Sequence, residues 1–185
     1  MAEGARDRMI AGAAQLLSRA GVSEASFGNV VALTGAPRGS IYHHFPGGKD
    51  ELLGESVRQV GARLLLAVRG AEVEAPADVV LLFAGLFRRV LVDSSVTAGC
   101  AVAAVAIEAP TASPPAAAAA DVFRAWLEEL ITLFARAGVD AVRAPGLAGI
   151  TLAAVEGALV LSRATGDLAT YDQVVEQLLT YVRAE

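Results

Sequence analysis

Three residues, Thr34-Gly35-Ala36, are all that separate two short stretches of helical pattern, and a proline follows them at once. A connection this tight makes two helices cross steeply, as in a helix-turn-helix, rather than lie back to back. Before the turn, Phe27, Val30 and Val31 are spaced for one helix face. Ser26 stands in front of them as a cap whose hydroxyl can accept from the helix's first free N–H groups. After the turn, Pro37 suits a first helical position, where its missing N–H costs nothing. Ile41, Tyr42 and His44 continue the pattern until Phe45-Pro46-Gly47-Gly48 breaks it.

The rest of the chain repeats the same period. Ile10, Ala13, Ala14 and Leu17 mark a helix that Gly21 stops, and Leu53, Val57, Val60 and Leu64 mark a longer one from Lys49. Past a linker at 72–76, Val79 to Val90 form a further helix, and Ser113-Pro114 caps one that carries Phe123, Trp126, Leu130 and Phe134. Another runs from about Leu147 to Ala164. Thr170 to Gln173 resembles a capping box, opening a last helix over Tyr171 to Val182. No stretch alternates as a strand does. The expectation is an all-α protein of about nine helices: a three-helix head over 5–64, then a helical bundle over 65–185.

Composition is 55% apolar and 19% charged, ample for a core and against disorder. The longest stretches without an ionisable residue, 94–107 and 144–155, hold 14 and 12 residues, short of the roughly 18–20 that a spanning helix needs. The apolar excess is better placed in a core and a subunit interface, with no membrane partner. The first residues mix Glu3 and Asp7 with Arg6 and Arg8, unlike a signal peptide, and a single cysteine allows no internal disulfide. A cytoplasmic protein is expected.

Charge becomes informative once divided. Over residues 1–58, six positives (Arg6, Arg8, Arg19, Arg38, Lys49, Arg58) meet six negatives (Glu3, Asp7, Glu24, Asp50, Glu51, Glu55), and the net −5 falls on the remainder. Bulk electrostatics therefore does not point to nucleic acid; local arrangement does. The helix after the turn offers Arg38, Ser40, Tyr42 and His43, all able to reach base edges or phosphates in a major groove wide enough for one helix. Gly39 inside that helix costs about 1 kcal/mol relative to alanine, which close approach to a DNA backbone would explain. Lys49 is the only lysine among fifteen basic residues and stands at a helix start, where free N–H groups also attract anions. Ser26 offers another phosphate the same geometry.

Three runs in this region carry a resemblance: 26–32, then 35–45, then Lys49-Asp50-Glu51-Leu52. Residues 5–64 resemble the DNA-binding domain of the TetR family of regulators. The form Tyr42-His43-His44-Phe45-Pro46-Gly47-Gly48-Lys49 and the run 99–105 are similar to that family's lincomycin-resistance-operon repressor subgroup. The resemblance implies that Arg38, Gly39, Ser40, Tyr42 and His43 face DNA, with Thr34 and Pro37 at the edge, and that Lys49 holds a phosphate. It also implies that the helix from Lys49 links head to sensor. Thr34 departs from the family's usual alanine and can add a polar contact. The subgroup points to amphipathic aromatic compounds or drugs as inducers.

Alternatives accompany the other candidates. His43 and His44 are adjacent, with no cysteine nearby, which disfavours a metal site; no metal or cofactor is expected. Gly47-Gly48-Lys49 lacks the first glycine and the Ser/Thr of a phosphate-binding loop. Cys100, among apolar neighbours, reads as a small buried thiol rather than a redox sensor. Glu108 is either a solvated helix end or a polar anchor in a cavity. Phe83, Phe87, Val105, Phe123, Trp126 and Leu130 are core or the wall of a small-molecule pocket. Gly149, Ala153 and Gly157 recur every four residues, and with Val174, Leu178 and Val182 they suit a four-helix interface between two copies; internal packing is the alternative. No nucleophile–base or carboxylate pair has supporting context, so no enzyme is expected. The expected function is a homodimeric repressor released from a palindromic DNA operator by a small apolar or aromatic ligand. An activator or ligand-independent regulator is the near alternative, and a helical enzyme or carrier with a degenerate head the distant one.

Overall fold

A computed structural model describes residues 4–183, so Glu3 of the charge balance lies outside it. Among the described residues there are nine helices and no strand: α1 Ala5–Glu24, α2 Phe27–Thr34, α3 Arg38–His44, α4 Gly48–Val68, α5 Pro76–Asp93, α6 Ala101–Glu108, α7 Pro114–Arg136, α8 Ala144–Thr165 and α9 Ala169–Arg183. They fall into two compact units. The first takes the chain through Arg63 together with Cys100–Phe123; the second takes Leu64–Gly99 and the chain from Arg124 on. The head expected over 5–64 is thus joined in its unit by α6 and the start of α7.

The first unit is built on the apolar faces of α1, the short helices α2 and α3, and α4. Met9, Ile10, Ala13, Val30, Ile41, Phe45 and Leu52 form one buried cluster. Ser56 is fully buried in α4, and its hydroxyl donates to Leu52 O at 2.7 Å while lying 3.1 Å from Ile10 O. A buried hydroxyl needs such a partner. Elsewhere in this unit α1 packs along α6, and Gly61 on α4 lies where a Cβ would overlap Val122.

Helix α1 does not run straight to its end. Gly21 has φ 80° and ψ −172°, a conformation open in practice only to glycine. The glycine expected to stop the helix does break it there, and a last turn, Val22–Glu24, sets off in a new direction.

In the second unit α5, α8 and α9 pack on one another. The Tyr171 hydroxyl, on α9, donates to Ala84 O of α5 at 2.7 Å, and burial pushes the phenol well above its ordinary pKa. Arg88 grips Asp172 with two bonds, 2.8 and 3.0 Å, at a half-exposed edge between the same helices. The turn after α5 holds Ser95 and Val96, both left-handed and neither glycine, pinned by Val96 N–H on Leu91 O at 2.7 Å.

Three local expectations need correcting. α9 starts at Ala169, whose N–H donates to Asp167 Oδ1, so Thr170 lies within the helix and the proposed capping box is not its start. The end of α4, read from the sequence as entering the sensor core through Leu64, Leu65 and Leu66, leaves Leu66 79% exposed, while Val68 one half-turn on is buried. α8, at 22 residues, is long and apolar enough to span a membrane, which the ionisable-free stretches had not indicated. Yet Glu156 and Arg163 interrupt it, and Leu152, Val155, Ala158 and Leu159 are buried in the second unit, as in a packing helix of a core.

Candidate nucleic-acid interface

The turn between α2 and α3 works as its residues require. Gly35 is left-handed, φ 66°, and its N–H closes α2 on Val31 O at 3.0 Å. At the other end of α2, Ser26 Oγ accepts from Asn29 N–H at 3.2 Å, the predicted cap, which leaves its own hydroxyl hydrogen available. Pro37 sits one position before the helix rather than in it, extended at φ −62° and ψ 130°. Its carbonyl accepts from both the N–H and the hydroxyl of Ser40, at 2.9 and 2.7 Å. Thr34 turns its hydroxyl back to Val30 O at 2.7 Å, and its methyl fills the space left by Gly12. The hydroxyls of Thr34 and Ser40 have thus spent their hydrogens locally; each keeps lone pairs that can accept from a partner.

With Ile41 and Phe45 buried at 1% exposure each, the opposite side of α3 is fixed as the outer one. Arg38, Gly39, Tyr42 and His43 are exposed there, and Ser40 is half-buried. Tyr42 is 68% exposed but not loose: the edge of its ring meets Phe27 of α2, centroids 5.3 Å apart and planes at 78°. Phe27 in turn lies 6.5 Å from the Phe45 ring, and Arg6 covers Phe45 at 5.2 Å. Phe27 thus positions the tyrosine; the sequence pattern marked it only as part of a helix face. A Cβ on Gly39 would meet nothing within 4 Å, so nothing inside the protein requires glycine at this position.

Lys49 is half-buried in the first turn of α4, and its ammonium donates to Val22 O, 2.6 Å away. An ammonium carries three donors, so two remain for an anion. Left-handed Gly48, φ 79°, turns the chain into α4, and Glu51 accepts the Gly47 N–H at 2.8 Å. Glu108 is the solvated helix end of the two expectations held for it, the last residue of α6, but it does more than face water. It is exposed, yet its carboxylate accepts the Val22 N–H at 2.8 Å, in the space where a Gly21 Cβ would have stood.

The other candidates divide. Phe83, Phe87 and Trp126 pack in one buried aromatic group of the second unit, with centroids 5.1, 6.4 and 5.9 Å apart, and Leu130 is buried there too. Val105 and Phe123 belong to the first unit. On α8, Ala153 and Gly157 are exposed, Gly149 is half-buried, and a Cβ on either glycine would meet nothing. Ile150 and Leu161 lie near this stripe, 46% and 51% exposed. On α9 the interface expectation is corrected for Leu178 and Val182, which are buried within the single chain because α9 spends its apolar stripe on α5 and α8; Val174 is half-buried. Sequence reading also missed the fully buried Thr151 and Ser162 of α8, polar residues inside an apolar run. Among the described residues no group of three His, Cys, Asp or Glu side chains is placed to hold a metal.

Comparison with known proteins gives two family matches. Residues 9–55 match the family described as bacterial regulatory proteins, tetR family, and residues 76–177 match that described as transcriptional regulator LmrA/YxaF-like, C-terminal domain. The chain is 34% identical to Rv0196, an uncharacterised HTH-type transcriptional regulator of Mycobacterium tuberculosis, over 99% of its own length and 96% of the relative's. It is 25% identical to the HTH-type transcriptional regulator LmrA of Bacillus subtilis over 85% of each chain. In fold it is similar to a TetR transcriptional regulator from Legionella pneumophila, with a TM-score of 0.83 at 20% identity, covering 97% of this chain and 98% of that one.

Proposed function

Because the chain belongs to the TetR family of bacterial regulators, and so is a DNA-binding transcriptional regulator, we propose that it is a repressor of a palindromic operator, released by a small apolar or aromatic ligand. The observation that carries the DNA-binding part is the outer face of α3: Arg38, Tyr42 and His43 exposed around a backbone left bare at Gly39. Arg38 supplies a planar donor fork suited to a guanine edge. Lys49 and Ser26, at the starts of α4 and α2, take phosphates and fix register without reading sequence. Thr34, Pro37 and Ser40 line the rim. Residues 5–64 serve as the DNA-binding domain and 65–185 as the sensor and dimerisation domain.

Two half-sites require two heads, with recognition helices about 34–36 Å apart. The stripe of half-buried Gly149 and exposed Ala153 and Gly157, with Ile150 and Leu161 exposed near it, supports a second copy of the chain as the occupant of that face, and half-buried Val174 of α9 is assigned to the same interface. The ligand is assigned to the second unit, at the aromatic group of Phe83, Phe87 and Trp126 with Leu130. It must bind the DNA-incompetent state more tightly, since equal affinity for both shifts nothing. Such a regulator acts in the cytoplasm.

A mobility-shift assay on DNA flanking the protein's own gene tests this reading. The expected result is a saturable complex that unlabelled random DNA does not displace and that an aromatic inducer dissolves. Deleting the gene should raise transcription of the controlled neighbour; a fall instead identifies an activator. A monomeric mass at micromolar concentration would remove the two-head arrangement.

A further inference from the structure

Val22 is used on both sides. Its N–H donates to Glu108 Oε2 at 2.8 Å, and its carbonyl accepts from Lys49 Nζ at 2.6 Å. The two bonds lie on the two peptide groups that flank one Cα, so what fixes the first group constrains the second. The carboxylate arrives from the end of α6, 86 residues further along the chain. It fits only because Gly21 lacks a side chain, and Gly21 alone among residue types readily holds the backbone break that turns the Val22 N–H outward. Asn29 ties the far end of the same turn, donating to Glu24 O at 2.9 Å and to Glu24 Oε2 at 3.0 Å.

We propose that Glu108 is a positioning residue for DNA binding: by holding Val22 it sets the carbonyl on which the Lys49 ammonium is seated, and thereby aims the two remaining ammonium donors at a phosphate. The proposal rests on the reading of Lys49 as a phosphate ligand. It gives Glu108 an effect on DNA that Glu108 need not touch. Being exposed, Glu108 leaves no buried charge or cavity behind when removed, and the freed Val22 N–H is solvated in place. The fold is therefore expected to survive while Lys49 loses its fixed seat.

The test uses the full chain and a duplex that the wild-type protein selects from a random-sequence pool, with binding measured by fluorescence anisotropy over a series of KCl concentrations. Glu108→Ala and Lys49→Ala are each expected to weaken binding about tenfold and to reduce the slope of log affinity against log salt by about one. The double variant should bind no more weakly than Lys49→Ala alone. Glu108→Gln keeps an acceptor for Val22 without the charge and should lose about threefold, an effect that vanishes in the Lys49→Ala background. Thermal melting followed by circular dichroism checks the fold; if Glu108→Ala does not fold, the Glu108→Gln cycle with Lys49→Ala decides. An unchanged salt slope in the Glu108 variants, or losses that multiply in the double variants, overturns the proposal. Failure of the wild-type protein to select any duplex overturns the DNA-binding reading itself, a separate outcome.

Discussion

Two glycines of the same unit, Gly21 and Gly39, look alike in sequence: each interrupts a helical run. Around Gly21 the protein supplies every reason for glycine, a left-handed φ and a carboxylate where the Cβ would be. Around Gly39 it supplies none; the space beside it is empty. The first belongs to the joint of α1, α4 and α6 and is explained from within. The second belongs to the reading helix and acquires a reason only when something from outside lies against it. Residues that a protein tolerates at a cost mark its partners better than residues it needs.

The contrast predicts opposite mutational signs. Gly21→Ala should have the largest effect, costing about 2–4 kcal/mol in stability from a forbidden φ and the overlap with Glu108 together. Chemical denaturation followed through Trp126, the single tryptophan, measures it; a loss below that of an ordinary surface change would mean that the joint relaxes freely. Next comes Arg38→Ala, expected to cost about 1–3 kcal/mol on the operator and less on random DNA if the guanidinium reads a base edge. Equal losses on both would reduce it to a phosphate contact. Gly39→Ala should raise stability by roughly 1 kcal/mol, the helix-propensity difference, while weakening operator binding. Loss of stability would erase the distinction between the two glycines.

The smallest effect belongs to the second unit. Arg88, through its hydrogen bonds and charge, holds the Asp172 carboxyl below its ordinary value of 3.8. A depressed folded pKa gives stability that is present above the unfolded value and is lost as pH falls through the folded one. Asp172→Asn should cost about 0.2–1 kcal/mol at pH 7, since both groups are half-exposed. The gap to wild type should close on titrating below about pH 3.8, which thermal melts at a series of pH values would show.

How far the sequence was legible follows the range of the interactions involved. The turn at Gly35, the cap at Ser26 and the outward set on α3 depend on residues within one or two turns of each other, and local pattern exposed them. The capping box at Thr170 looked equally local, but Asp167 competed for the start of α9 and won. Leu178 and Val182 suited an interface between two copies as well as internal packing; only the packing of α9 on α5 and α8 decides for the second. The Glu108–Val22–Lys49 link was the least legible. Its parts are scattered over three helices, and its acceptor and donor on Val22 are backbone atoms that carry no sequence signal.

That seat for Lys49 has a practical side. An endoprotease specific for lysine finds one bond to cut in all 185 residues, Lys49–Asp50 in the first turn of α4. The bond lies within helix, so cleavage must wait for that turn to open, and when reclosing is fast the rate reports the open fraction. A single digestion, read as the appearance of two fragments, therefore measures how often this joint lets go of its lysine, with no label introduced and no competing site to correct for.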